Sequence, residues 1–468
     1  MPATLSIGFQ GAARTVTGSR HRMRFGDRTW LFDCGLYQGH REEADRINRS
    51  FAFEPAELDS VVLSHAHLDH SGNLPTLTSQ GYSGKIHVTP ATADLCEFML
   101  ADSAFLQERD VSHLRRHHPG KPTRPPLYNM ADVEQTVTRF ETHTYHQPWE
   151  LFDGVQVQYY DAGHILGSAL TTFDFQRNGA RFRVGMSGDL GRANMPILKD
   201  PEVHPGVDVL VLESTYGNRL HPERAACEQA LAETVELTVQ RGGRVLVPSF
   251  AVGRTQEVVA TLHRLMGDRR IPDLPIFVDS PMARQATEVF THHPELFDGE
   301  TRSAFEREHG VPFGFERLRY IATADESKTL NDHTSPCIIV AASGMCEGGR
   351  ILHHLLHGLG NELNTVLFVG FQAEGTLGRR LVDGAETVNV FGEPVKVRAQ
   401  IVSLQGFSAH ADQNELISWV ARLSPTPRRI FLVHGELEAA EPLRDKLRER
   451  VGAQVDIPER GEEFELWK

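Results

Sequence analysis

The residues with the greatest capacity for chemistry are His65, His67, Asp69 and His70, in the run Ser64-His65-Ala66-His67-Leu68-Asp69-His70. In an extended segment, side chains at i, i+2 and i+4 point the same way, so His65, His67 and Asp69 share a face. Four ligand-type residues packed this closely can serve two adjacent metal ions. Imidazole and carboxylate donors suit zinc best, with manganese and iron as the other candidates. A chance polar loop is the competing reading, and the density of ligand types argues against it. Histidine is also abundant and clustered, with 24 in 468 residues.

The elements that must position these residues can be read from the apolar pattern. Ser60–Ser64 is an apolar run that stops abruptly at His65, so the ligands sit at the end of a strand. Layered α/β folds supply metal ligands from such strand ends. Upstream, Leu5–Phe9 reads as a strand, and His21–Phe25 and Thr29–Asp33 flank the hairpin turn Gly26-Asp27. Residues 90–145 read as mainly helical and polar. Strands return at Val155–Tyr160, Leu170–Phe175 and Arg181–Ser187. From about residue 217 the pattern changes to alternating helix and buried strand: Ala225–Arg241, Arg244–Pro248, Gln256–Met266, Ile276–Val278, Ile338–Ala342, Val366–Val369. That alternation predicts a doubly wound parallel sheet.

Bulk composition sets the class. The length exceeds what one ordinary core holds, so two domains are expected. Apolar residues at 40% and charged residues at 24% are those of a globular protein. The 48 basic and 62 acidic residues give −14, which excludes whole-surface affinity for nucleic acid but leaves room for a local cationic groove. Five cysteines without a C-x-x-C motif read as reduced, buried thiols in a cytoplasmic protein. There is no signal-peptide pattern and no apolar run of membrane-spanning length.

The ligand motif resembles that of the metallo-β-lactamase superfamily, and the resemblance continues along the chain. Asp33 in Leu31-Phe32-Asp33-Cys34-Gly35 matches its first motif, His164 in Ala162-Gly163-His164 its third, and Asp189 in Ser187-Gly188-Asp189-Leu190 its fourth. The last histidine ligand is His434, in Phe431-Leu432-Val433-His434-Gly435, and a whole domain fits between it and Asp189. That gap carries the marks of the β-CASP ribonucleases, prokaryotic relatives of the nuclease that makes messenger-RNA 3′ ends. Glu213, in Glu213-Ser214-Thr215-Tyr216-Gly217, matches their motif A, His410 in Phe407-Ser408-Ala409-His410 their motif B, and His434 their motif C. A histidine at motif C is typical of the RNA-acting branch.

The resemblance implies an α/β fold: an αββα metallo-β-lactamase sandwich with an inserted doubly wound α/β β-CASP domain. Residues 1–214 and 396–468 would form the first domain and 215–395 the insertion, with the active site in the cleft between them. Two Zn2+ ions, or Mn2+ or Fe in their place, would be held by His65, His67, His164 and Asp189 on one side. Asp69, His70, Asp189 and His434 would hold the other, with Asp189 bridging. The first-motif Asp33 would support the site without binding metal.

Two divalent cations against two carboxylates and one hydroxide leave a local charge of about +1, which favours an anionic phosphodiester over a neutral lactam. The bridging hydroxide would attack phosphorus. His410 would act as general acid for the leaving 3′ oxygen, with Glu213 holding its tautomer. The products would be 5′-phosphate and 3′-hydroxyl ends, from internal cuts in preference to 5′-exonuclease action. Other readings of the same site are a lactonase- or thioesterase-type hydrolase, a non-catalytic RNA-processing scaffold and a flavodiiron-type redox protein.

Substrate contacts are expected at three small-residue turns that resemble β-CASP signature stretches. They supply Ser249 and Arg254, then Ser343 and Arg350, then Gln372, Thr376 and Arg379, with the three arginines as phosphate clamps. Phe250 and Phe371 could stack on bases, although core packing is the favoured reading for both. The basic run Arg109, Arg115, Arg116, Lys121 and Arg124 reads as a solvated loop, with guidance of an RNA strand as the alternative. The ligand motif begins early, so an RNA-binding extension of the archaeal kind is not expected. A homodimer acting on single-stranded RNA is expected instead.

Overall fold

The structure, a computed structural model, describes residues 4–39, 41–117, 123–307, 314–373 and 375–468. Two compact units emerge. The first comprises Met1–Asn194, Asp200–Leu220 and His410–Lys468; the second comprises Met195–Lys199 and His221–Ala409.

The first unit is built on two seven-stranded sheets. One runs Glu463–Trp467, Leu5–Gly11, Arg20–Phe25, Arg28–Phe32, Ser60–Val62, Lys85–Val88, Phe140–Thr142 in spatial order. The other runs Gln454–Asp456, Arg429–Val433, Val209–Glu213, Ala180–Met186, Ala169–Arg177, Val155–Asp161, Trp149–Phe152. Their facing sides share one core, in which Ile7, Phe9 and Trp30 of the first sheet meet Phe173, Phe175 and Phe431 of the second. Strand alternation sends the remaining residues outward. Leu210, Leu212, Ile430 and Leu432 face away from that core and are covered by the helices Gln413–Ala421 and Leu437–Val451 through Leu416, Trp419, Leu443 and Leu447. The result is the αββα sandwich expected from the sequence.

The second unit holds six parallel strands in the order Leu318–Tyr320, Ile276–Val278, Ile338–Ala341, Val245–Pro248, Thr365–Phe368, Gln400–Ser403. The four inner strands are buried on both faces, as helical crossovers require. Val245 and Val247 pack with Leu231, Val258 and Leu262 on one side, while Leu246, Ile339 and Phe368 pack with Leu355 and Leu381 on the other.

The unit boundaries differ from the sequence-based ones. Residues 396–409, expected in the first domain, lie in the second unit. Gln400–Ser403 is an edge strand of its parallel sheet, and Leu404 and Phe407 enter its core. Residues 215–220 lie in the first unit, and Met195–Lys199 joins the second, where Leu198 bridges Phe297. A short apolar strand reads the same whichever sheet it joins, so sequence pattern could not assign it. Among the described residues no helix is long and apolar enough to cross a membrane. All five cysteines are buried, and none is in a disulfide.

Candidate metal centre and its acid partner

The strand Ser60–Val62 ends just before the ligand run, and His67 stands immediately before the short helix Leu68–Ser71. This geometry turns His65, His67, Asp69 and His70 toward one point instead of alternating them across a sheet. Asp33 fixes the turn from behind. Its backbone is left-handed (φ +62°), its Oδ1 accepts the Ser64 N–H at 2.8 Å, and its Oδ2 accepts the hydroxyls of Ser19 (3.0 Å) and Ser64 (3.1 Å). The same oxygen lies 2.7 Å from His70 Nδ1. His70 therefore donates from Nδ1 and presents Nε2 to the centre, the arrangement that makes an imidazole a stronger ligand.

Two groups of donors result. His65 Nε2 is 3.0 Å from His67 Nδ1, His164 Nε2 is 3.3 Å from His67 Nδ1, and Asp189 Oδ2 is 3.5 Å from both His65 Nε2 and His164 Nε2. In the second group His70 Nε2 is 3.2 Å from His434 Nε2, and His434 Nε2 is 3.4 Å from Asp69 Oδ2. Asp189 Oδ1 lies 3.2 Å from His70 Nε2. Asp189 thus turns one oxygen to each group, as a bridging carboxylate must.

These residues fit metal ions. A tetrahedron with zinc bonds of about 2.05 Å has edges of about 3.3 Å, the spacing of the first group. Imidazole nitrogens aimed at one another bring lone pairs together, which a shared cation relieves. The buried His164 Nδ1 has no hydrogen-bond partner among the described residues, and Asp189 Oδ1 faces the ring nitrogens of His70 at 3.2 Å and His434 at 3.4 Å. Burial, with the charge of neighbouring histidines, holds His65 and His164 well below the usual histidine value and His67 at about 4, so all three are neutral. Burial opposes charge on His70 as well, but Asp189 and Asp33 raise it well above the usual value. The two carboxylates thus favour a positive charge at His70, whether a proton or a metal ion.

Glu213 and His410 form a second constellation beside Asp189. Glu213, at the end of the strand Val209–Glu213, is fully buried. Its Oε1 accepts the Leu190 N–H at 2.6 Å, and both its oxygens lie 3.2 Å from His410 Nδ1. His410 Nδ1 is also 4.0 Å from Asp189 Oδ2, and its ring centroid is 4.5 Å from that of His164. Burial works against its charged form, yet Glu213 and then Asp189 outweigh that and raise it to about 9. His410 is therefore protonated at neutral pH, the state an acid needs.

The structure brings together Asp33, His65, His67, Asp69, His70, His164, Asp189, Glu213, His410 and His434 within the first unit. Sequence reasoning missed their supports. Thr215 Oγ1 sits 3.1 Å from His434 Nδ1 and donates to the His434 carbonyl at 2.9 Å, holding a residue whose backbone is left-handed (φ +48°). Ser64 Oγ is 3.0 Å from His65 Nδ1. Both hydroxyls adjoin motif residues, which was the available signal.

The seven expected substrate contacts all lie in the second unit. Ser249, Ser343 and Gln372 follow the C-terminal ends of three adjacent parallel strands, where open α/β sheets bind ligands. Their side chains also hold the turns. Ser249 accepts from Thr255, Ser343 accepts the Glu347 N–H, and the Gln372 amide donates to the Gly344, Gly370 and Phe371 carbonyls. Thr376 caps the helix Leu377–Val382.

The arginines are engaged within the fold. Arg254 donates to the Val369 carbonyl at 2.6 Å, Arg379 pairs with Asp383 at 2.9 Å, and Arg350 is 2.6 Å from the buried Asp279. Phe250 and Phe371 are 46% and 47% exposed, so neither packs in a core as the sequence favoured. Of the basic run, Arg124 pairs with Asp45, Arg109, Arg115 and Arg116 are exposed, and Lys121 lies outside the described residues.

Known proteins share this architecture. Residues 23–166 match the metallo-beta-lactamase superfamily, 255–381 the Beta-Casp domain, and 394–458 the Zn-dependent metallo-hydrolase RNA specificity domain. Ribonuclease TTHA0252 of Thermus thermophilus is 37% identical over 97% of this chain and 98% of its own length. The chain belongs to the β-CASP ribonuclease family of the metallo-β-lactamase superfamily. Transcription termination factor FttA of Methanocaldococcus jannaschii is 30% identical over 97% of this chain and 70% of its own length. FttA of Pyrococcus abyssi is 32% identical over 86% and 61%. A solved structure of a protein of unknown function from Enterococcus faecalis V583 covers 99% of this β-CASP chain with a TM-score of 0.55 at 14% identity, a likeness of fold.

Proposed function

We propose that this β-CASP protein is a ribonuclease with two zinc ions that cuts single-stranded RNA internally, leaving 5′-phosphate and 3′-hydroxyl ends. The observation that carries the reading is the Glu213–His410 pair beside the bridging Asp189. Lactam- or lactone-opening chemistry has no need of a buried carboxylate holding a protonated imidazole there. When bound, the cations supply a hydroxide nucleophile and offset phosphate charge.

The chain's own residues do the rest. His65, His67 and His164 hold one side of the centre, and Asp69, His70 and His434 hold the other. Asp33 orients His70, and Thr215 orients His434. Glu213 keeps the His410 Nδ1 proton in place, so Nε2 is the nitrogen that protonates the leaving 3′ oxygen. Nothing in this chemistry uses the 2′-hydroxyl, so RNA preference comes from binding. The exposed rings of Phe250 and Phe371 are suited to stacking on unpaired bases. A homodimer completes the reading, and a single-chain mass by light scattering would remove that part.

The test is cleavage of a 5′-labelled single-stranded RNA, beside DNA of the same sequence, by protein of measured metal content with a chelator control. Internal products from RNA alone, lost on chelation, support the proposal. Mononucleotides alone convert it to a 5′-exonuclease. No cleavage by protein holding two zincs overturns it. His410→Ala should keep both metals and slow cleavage about 10²–10⁴-fold, the usual worth of general acid–base catalysis.

A further inference from the structure

A second histidine cluster lies in the first unit and shares no residue with the centre described above. His87 is in the strand Lys85–Val88, and Glu141 is in the edge strand Phe140–Thr142. The two strands run parallel with His87 directly across from Glu141. His143 follows two residues later, on the same face as Glu141, and its N–H donates to the Val88 carbonyl at 2.8 Å. The topology therefore aims three ligand-type side chains at one point from two adjacent strands.

We propose that His87, Glu141 and His143 form a further metal site that takes a single zinc ion, with water in the fourth position. His87 Nδ1 is 2.8 Å from His143 Nε2, and Glu141 Oε1 is 3.7 Å from His143 Nε2 and 3.9 Å from His87 Nδ1. These spacings bracket the roughly 3.3 Å edge of a tetrahedral zinc site. Adjustment falls to Glu141, whose side chain is 45% exposed and can swing inward.

The remaining surroundings suit a ligand set. The His143 ring stacks on Trp149 with centroids 3.9 Å apart and planes 8° from parallel, so its orientation is held. His87 is fixed through its carbonyl, which accepts from the Leu63 N–H and the Tyr159 hydroxyl. Burial lowers both imidazoles, His87 to about 3, so both offer lone pairs at neutral pH. Lys85 approaches the other oxygen of Glu141 at 3.7 Å and leaves Oε1 for the ion.

A cross-strand zinc has a structural purpose here. Phe140–Thr142 is only three residues long and has a neighbour on one side alone. A metal clasp adds binding free energy to the docking of that edge. The competing reading is a plain hydrogen bond between two neutral imidazoles stacked on Trp149, which would hold no ion.

Metal counting on the full chain decides. Protein dialysed against micromolar free zinc should carry about three zincs per chain, and Glu141→Gln and His143→Ala about two. Both variants should cleave RNA at the parental rate. Asp189→Ala, which disrupts the other centre, should still hold one zinc, and adding His143→Ala should remove it. Glu141→Gln alters only a half-exposed side chain, so it reads out even where His143→Ala fails to fold. Parent protein with two zincs or fewer, or a third zinc that survives both variants, overturns the proposal.

Discussion

Replacing Glu213 by Gln isolates the acid from the metals. The carboxylate oxygens lie 3.2 Å from His410 Nδ1. At an effective dielectric of 20, a unit charge at that distance is worth about 5 kcal/mol to the imidazolium, an upper bound. Glutamine keeps the shape and the acceptor for the Leu190 N–H but loses the charge. It also sets a neutral dipole against Nδ1, so part of the 5 kcal/mol survives. The imidazolium is expected to lose about 3–4 kcal/mol, a pKa drop of about 2–3 units. At pH 7 the protonated fraction, and with it kcat, should fall about 3–10-fold, and the loss grows about tenfold per pH unit above that.

The pH profile carries a second signature. A general acid works while protonated, so the parental rate should fall as pH rises through about 9, where Glu213 and Asp189 hold His410. In Glu213→Gln that limb should move to lower pH. The assay is single-turnover cleavage of a defined RNA, with zinc content measured alongside. A substrate whose leaving 3′ oxygen is replaced by sulfur needs no acid, because a thiolate leaves unprotonated. The variant should cut it at close to the parental rate. Equal losses on the oxygen and sulfur substrates, or loss of zinc from the variant, would refute the role given to this pair.

Arg350→Ala should destabilise the protein by about 3 kcal/mol, because it strips a partner from the fully buried Asp279; thermal unfolding checks this, and weakened RNA binding at unchanged stability would restore the phosphate-clamp role. Phe250→Ala and Phe371→Ala should leave unfolding unchanged while each weakens RNA binding by about 1–3 kcal/mol, the usual worth of stacking on a base. Fluorescence anisotropy with labelled RNA reads this, and loss of stability without loss of binding would count against it. His204 is buried and held at about 4 by desolvation, against 6.5 when unfolded. Its contribution, about 3 kcal/mol at most, is present above pH 6.5 and is lost as pH falls toward 4. Chelator-treated protein should show a falling unfolding temperature over that window, with a shallower fall in His204→Gln.

Much of the candidate centre was legible in the sequence because its proposed ligands come in short runs. His65 to His70 sit at one strand end, and Asp33, His164, Asp189 and His434 each close a short apolar segment. The alternation of helix and buried strand likewise announced the parallel sheet, since burial on both faces leaves a readable pattern, whereas the sandwich was implied by the family resemblance. Other features depend on which strands become neighbours. His87 and Glu141 are far apart in the chain and meet only because their strands pair in register. Gln400–Ser403 could have joined either sheet, and Thr215 reaches His434 only because Val209–Glu213 pairs with Arg429–Val433. Arg350 and Phe250 looked like a clamp and a core residue. The buried Asp279 captures the arginine, and the turn after Pro248 leaves the ring in solvent. Residue type and spacing determined what chemistry this chain can perform. Long-range pairing and burial, which no local window contains, decided which charges are satisfied and which rings face water.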